Sequence, residues 1–126
     1  MQIKLGDSEL KVMHVLWDEG DTTAKHISTV MTDKYGWNIN TTYSLLKRCI
    51  KKGAVQRHEP NFMCHALISR EEIQKQETAN FLEKFFDSSS DKLFSALLGQ
   101  KNLSSSQVAK LEQLISEMER ERDELE

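Results

Sequence analysis

Three features of this 126-residue sequence predict a mainly α fold in two parts. Apolar residues recur at helical spacing through three successive stretches, stopped at Gly20, Gly36 and Gly53. Two strand-compatible runs then bracket Pro60-Asn61, a turn signal. From Ser69 onward helical spacing returns, opened twice by capping boxes. Three short helices with a tight second turn, and a hairpin directly after the third, are the layout of a winged helix-turn-helix with a small β-hairpin wing, expected over residues 1–69. Residues 70–126 are expected to form a helical dimerisation domain.

The first helix is predicted to begin at Asp7 or Ser8, either of which can accept a hydrogen bond from an orphan amide, and to end at Gly20. Leu10, Met13, Leu16 and Trp17 form its stripe and are assigned to the core. Thr22 or Thr23 caps a second helix, with Ala24, Ile27, Val30, Met31 and Tyr35 inward and Gly36 as the left-handed stop. Only Trp37 separates Gly36 from the Asn38 cap of the third helix, so the two helices must turn sharply against each other.

The third helix, Asn38 to Gly53, carries Thr42, Leu45, Leu46, Cys49 and Ile50 on one side. Its other face presents Asn40, Thr41, Tyr43 and Ser44 toward the start and Lys47, Arg48 and Lys51 toward the end. Hydrogen-bonding groups followed by positive charge suit a helix that enters a DNA groove and then touches phosphate. A solvated amphipathic helix shows similar charge, so the neighbouring segments decide. Ala54 to Glu59 and Phe62 to Ser69 supply the hairpin, placing Arg57 and His58 where a wing reaches phosphates. The rival reading of Arg57 is a plain edge-strand charge. Thr23 and Lys25, opening the second helix, complete the expected phosphate contacts.

Ser69 to Glu72 is a capping box opening a long helix with Ile73, Phe81, Leu82, Phe85 and Phe86. Ser88-Ser89-Ser90 breaks it, a short helix with Leu93, Phe94, Leu97 and Leu98 follows to Gly99, and Ser104 with Gln107 opens the last. That helix shows Val108, Leu111, Leu114, Ile115, Met118 and, more loosely, Leu125 among Glu and Arg. Helices with one apolar stripe and no core of their own bury it against a partner copy. Phe81, Phe85, Leu93, Leu97, Leu111, Leu114, Ile115 and Met118 are therefore the expected dimer contacts, against the alternative of a bundle packed on the first domain.

Charge is segregated along the chain. The whole carries −3 with a pI near 5.8, which by itself argues against nucleic acid. Residues 1–70 are net +3 and residues 71–126 net −6, and Tyr35 to His58 holds five Lys or Arg and no acid. No apolar run approaches the ~18 residues of a membrane span, and the N-terminus has no secretory h-region, so a cytoplasmic protein without membrane insertion is expected. Cys49 and Cys64 are too few for a disulfide framework and read as reduced thiols.

Taken together, these residues resemble the penicillinase-repressor family of winged-helix transcription repressors, the BlaI/MecI/CopY group. The likeness lies in Glu9-Leu10-Lys11-Val12-Met13 with Leu16-Trp17, and in Thr23-Ala24. It continues through Thr41-Thr42, Leu45-Leu46, Arg48 and Lys51-Lys52-Gly53 to Leu103-Ser104 and Leu111. The resemblance implies a homodimeric repressor of resistance or metal-homeostasis genes that binds an inverted-repeat operator in double-stranded DNA. In the β-lactam-responsive branch, a membrane sensor-protease triggers cleavage of the repressor within the dimerisation part. The Asn-Phe cleavage pair of that branch aligns with Ala96-Leu97. The Cys-x-Cys cluster of the copper branch has no counterpart in Glu117 to Glu126. Tyr43 stands where a base-contacting Arg is usual and Asn40 where Lys is usual, which points to a different operator sequence.

Two rival readings remain at this level. A metal-responsive repressor is suggested by His58, Met63, Cys64 and His65, although adjacent strand residues point to opposite faces and ligands must converge. A helical adaptor that binds another protein through the second half is the other. Catalysis has no support, because the chain contains no Gly-rich phosphate loop, nucleophile elbow or His-Glu-x-x-His. Neither a cofactor nor a metal is expected.

Overall fold

The structure, a computed structural model, describes residues 2–99 and 103–125, without the side chains of positions 118, 122, 124 and 125. Met118 and Leu125, expected on the last stripe, thus lie outside the described side chains. The elements run α1 (Asp7–Glu19), β1 (Thr22–Thr23), α2 (Ala24–Tyr35), α3 (Ile39–Lys51), β2 (Val55–His58), β3 (Met63–Ala66), α4 (Arg70–Phe86), α5 (Ser90–Gly99) and α6 (Ser105–Leu125). Two compact units result, Met1–Thr78 and Ala79–Glu126, and the division falls inside α4.

Helix α1 differs from expectation at its start. The cap is Gly6, not Asp7 or Ser8, and its amide donates to Glu9 Oε1 at 2.9 Å. A glycine has no side chain to offer, so half of the capping box is made from inside the helix. The buried stripe also shifts: Val12, Met13, Val15 and Leu16 are buried, while Leu10 and Trp17 are half-buried at its margin. Trp17 stays at the edge because its indole N–H donates to the Ile68 carbonyl at 2.9 Å.

Thr23 caps α2, its hydroxyl accepting from the His26 amide at 3.1 Å. Ala24, Ile27 and Met31 are buried with Ser28, and Val30 is half-buried. Tyr35, expected inward, is exposed; its ring packs on Trp37 with centroids 5.5 Å apart, and Lys11 Nζ lies 4.6 Å from its centroid. The last turn of α2 runs past the edge of the core, where helical period no longer means burial. Gly36 at φ 68° then reverses the chain in the left-handed region, which a side chain rarely adopts. Asn38 caps α3 as expected, accepting from the Asn40 amide at 2.8 Å, and Thr42, Leu45, Leu46 and Cys49 are buried.

The hairpin pairs Val55↔Ala66, Gln56↔His65, Arg57↔Cys64 and His58↔Met63. Its ladder is shorter than the two predicted runs, although the Leu67 amide still donates to the Ala54 carbonyl at 2.8 Å. A third strand, β1, was not expected: Thr22↔Cys64 and Thr23↔Met63 add it to β3, giving an antiparallel sheet in the order β1-β3-β2. Two residues are too few to show a period, and their partner lies some forty positions away. The core formed by α1, α2, α3 and this sheet also takes in Leu5 before α1 and Ile73 from α4. Ser69 and Glu72 form the expected capping box at the start of α4.

In the second unit, Ser104 and Gln107 make the other capping box. Phe81 packs on Phe85 and Phe86 with centroids 5.2 and 5.6 Å apart. Much of the apolar stripe stays open: Phe81, Phe85, Phe94, Leu98, Leu114 and Ile115 are exposed, Phe85 at 61%, while Leu93, Leu97 and Leu111 are half-buried. Ala96 is exposed on α5 beside them.

Candidate nucleic-acid interface

The polar face of α3 emerges from the core as a consequence of how its apolar face is spent. With Thr42, Leu45, Leu46 and Cys49 packed inward, Asn40, Thr41, Ser44, Lys47, Arg48 and Lys51 are exposed and Tyr43 is half-buried. Asn40, Ser44, Lys47 and Lys51 share one line at i, i+4, i+7 and i+11. None of Lys47, Arg48 and Lys51 has an ion-pair partner among the described residues, so their charge faces solvent unspent.

Lys52, one residue further, behaves differently. Its ammonium bonds Glu9 Oε1 at 2.7 Å and the Lys4 carbonyl at 2.8 Å, tying the end of α3 to the start of α1. Burial alone would raise the Glu9 carboxyl, but the hydrogen bond from Lys52, the Gly6 amide and the nearby positive charges together hold it below its ordinary value. This pair orients α3 rather than offering charge to a ligand.

Two shallow grooves flank the helix. On the α1 side Asn40, Thr41, Ser44 and Arg48 meet Ser8 and Leu45. On the wing side Tyr43 meets Thr23 and Lys25 from the start of α2, and Arg57, Glu59, Asn61 and Phe62 from the wing. The wing residues are ordered by Phe62, which the turn places at φ 51°. Tyr43 meets its ring edge-on at 5.7 Å, and the Arg57 guanidinium lies 3.7 Å from its centroid.

The expected contacts Thr23, Lys25, Tyr43 and Arg57 thus come together in one groove, and Asn40, Thr41, Ser44 and Arg48 in the other. The Thr23 hydroxyl is already engaged as the α2 cap. His58 does not join the wing groove; its ring lies 6.4 Å from that of His65. Neighbours on a strand face opposite ways, which parts it from Arg57. Glu59, Asn61 and Phe62 were not foreseen. Only the two-residue step from Arg57 to Glu59 hinted that an acid would stand beside that cation.

The residues that suggested a metal do not converge. Cys64 is fully buried, with its thiol pushed up to about 11 by that burial, and His65 Nδ1 is 2.8 Å from Asp21 Oδ1. Among the described residues no group of three or more His, Cys, Asp or Glu could hold an ion. Burial likewise pushes Cys49 up to about 12, so both thiols stay protonated at neutral pH. Among the described residues no helix is long and apolar enough to cross a membrane.

Comparison with known proteins agrees with this geometry. A family model described as "Penicillinase repressor" matches residues 5–117. The penicillinase repressor of Bacillus licheniformis is 24% identical, over 90% of this chain and 91% of its own length. The methicillin resistance regulatory protein MecI of Staphylococcus aureus is 22% identical, over 90% and 94%. Among solved structures, the DNA-binding domain of the repressor BlaI superposes with a TM-score of 0.52 at 26% identity, covering 56% of this chain and 88% of that one. Bacillus licheniformis BlaI, solved as a monomeric form in complex with the blaP half-operator, gives a TM-score of 0.51 at 27% identity, covering 56% and 90%. A match across most of the chain, joined to a winged helix with an open basic face, places this protein in the penicillinase repressor family.

Proposed function

We propose that the chain is a homodimeric transcription repressor in which residues 1–69 bind an inverted-repeat operator and residues 70–126 hold two copies together. Membership of a repressor family makes it a DNA-binding regulator and not an enzyme. The observation that carries the finer reading is the unpaired Lys47, Arg48 and Lys51 on an acid-free α3 face flanked by the wing groove. Asn40, Thr41, Tyr43 and Ser44 meet base edges, and Lys25, Lys47, Arg48, Lys51 and Arg57 hold phosphates, with Thr23 and His58 at the margin. Asn40 is the one residue here shaped for a bidentate contact, to adenine, worth about 1–3 kcal/mol of discrimination. Affinity then leans on phosphates and falls with salt by about 0.9 log units per log of salt for each phosphate neutralised.

The open stripe of the second unit supports self-association, because apolar rings left in water on this scale gain by meeting a second copy. The relatives' names make β-lactam resistance genes, or related stress genes, the proposed targets; the family resemblance adds a membrane sensor-protease pathway, for which Ala96-Leu97, standing in place of the Asn-Phe pair, is the candidate cleavage region. Footprinting the full chain on DNA upstream of its own gene tests the whole reading. Two protected half-sites related by a dyad are expected, from a protein that elutes as a dimer. Binding insensitive to salt, or a monomer that ignores duplex DNA, would sink it in favour of an adaptor.

A further inference from the structure

The wing groove contains one acid among its cations. Glu59 Oε1 accepts from Arg57 Nε at 2.5 Å, while the guanidinium lies over the Phe62 ring. The pair is placed but not locked. The Arg57 and Glu59 side chains are 44% and 61% exposed, and an ion pair that open to water and salt exchanges readily for another anion. Lys25 lines the same groove and has no ion-pair partner among the described residues, so the site is cationic once Glu59 is displaced.

We infer that Arg57 and Glu59 form an exchangeable gate for one DNA phosphate. In the free protein Glu59 holds the guanidinium over Phe62; on binding, a phosphodiester oxygen takes Arg57 and the carboxylate is released. The inference rests on the reading of the chain as a duplex-DNA binder. A helix in the major groove and a hairpin reaching beyond it leave one strand's backbone to pass between them, and this groove lies between α3 and the wing.

The gate has a measurable signature in bound ions. When Arg57 neutralises a phosphate a counterion is released, and when Glu59 loses its partner a cation is taken up. The two nearly cancel, so Arg57 adds almost nothing to the salt dependence of the native protein. Glu59 thereby lowers affinity for any duplex and leaves more of the binding to base contacts, which favours discrimination between sequences.

The test measures binding of the full chain to a mixed-sequence 20-base-pair duplex by fluorescence anisotropy at several salt concentrations. The proteins are the native chain, Glu59→Gln, Arg57→Gln and the double variant, with thermal melts to show that all four fold. Glu59→Gln is expected to steepen the log–log salt slope by about 0.9, equivalent to about 3.5-fold more affinity lost between 50 and 200 mM salt. Arg57→Gln alone should change the slope little, and in the double variant the added slope should vanish. An unchanged slope in Glu59→Gln overturns the gate while leaving DNA binding intact. A steeper slope that survives in the double variant also overturns it, because Glu59 then repels phosphate directly. If no variant binds duplex at any salt concentration, the function and the gate fall together.

Discussion

Thr42 sits where α3 needs a small side chain, yet its hydroxyl is fully buried without a hydrogen-bond partner among the described residues. Such a group gives up its hydration for nothing, at about 1–3 kcal/mol. Thr42→Val keeps the shape and removes the polar atom, so urea denaturation is expected to show a gain of about 1 kcal/mol. A lower midpoint would mean that the hydroxyl is satisfied after all. Glu9 is a mixed case: its Oε1 accepts from Lys52 Nζ and from the Gly6 amide, while its Oε2 is buried with no hydrogen-bond partner among the described residues. Its carboxyl is held below its ordinary value of 4.5 in the native state, so the native protein binds fewer protons there than the unfolded chain. The stability it contributes is complete above about pH 4.5 and is lost as pH falls through the native value. Glu9→Gln should therefore be less stable than the native chain at pH 7 and show a flatter acid limb below pH 4.5. Lys52→Met, which leaves the carboxylate without its cation, should cost about 1–3 kcal/mol at neutral pH.

At the scale of elements, α3 and the wing work as one surface because Phe62 touches both Tyr43 and Arg57. Tyr43→Ala is expected to alter operator preference more than overall affinity, but it also removes the edge contact with Phe62. Tyr43→Phe separates the two effects by keeping the ring and deleting only the hydroxyl. Selection from a randomised half-site should then show a changed preference at one base pair with an unchanged melting temperature. An unchanged preference would place the Tyr43 hydroxyl outside the groove. The cap is testable in the same way. Asn38→Ala removes the acceptor for the Asn40 amide and should destabilise the domain by about 1 kcal/mol. Because it frays the turn that presents Asn40, DNA affinity should fall with it.

For the whole molecule, the exposed apolar residues of α4, α5 and α6 are where the proposed dimer is tested. Phe85, at 61% exposure, loses little beyond its ring contact with Phe81 when truncated, whereas burial against a partner copy is worth about 1.5–3 kcal/mol for a side chain of this kind. Phe85→Asp is expected to shift the proposed dimer to monomer in sedimentation velocity at micromolar concentration and to weaken binding to the proposed two-half-site operator at least tenfold. Leu98→Asp should do the same. A dimer that survives both variants would place the contact elsewhere.

Much of this protein is legible along the chain, because periodicity and caps are local. The apolar stripe of α3, the Asn38 and Thr23 caps, the Gly36 stop and both later capping boxes depend on residues within four positions of each other, and the structure contains them all. Local pattern does not say where the core ends, so Tyr35 points to solvent and Val12 and Val15 displace Leu10 and Trp17 from the centre. Nor does it show pairings between distant segments. The strand β1 exists only because β3 is there to bond it, and Lys52 leaves the basic surface only because the fold brings Glu9 to it across forty-three positions. The wing falls between these cases. Its turn was readable from Pro60-Asn61, but the seating of Arg57 against Glu59 and Phe62, beside Tyr43 of α3, depends on three side chains meeting in space, and that meeting is a property of the fold.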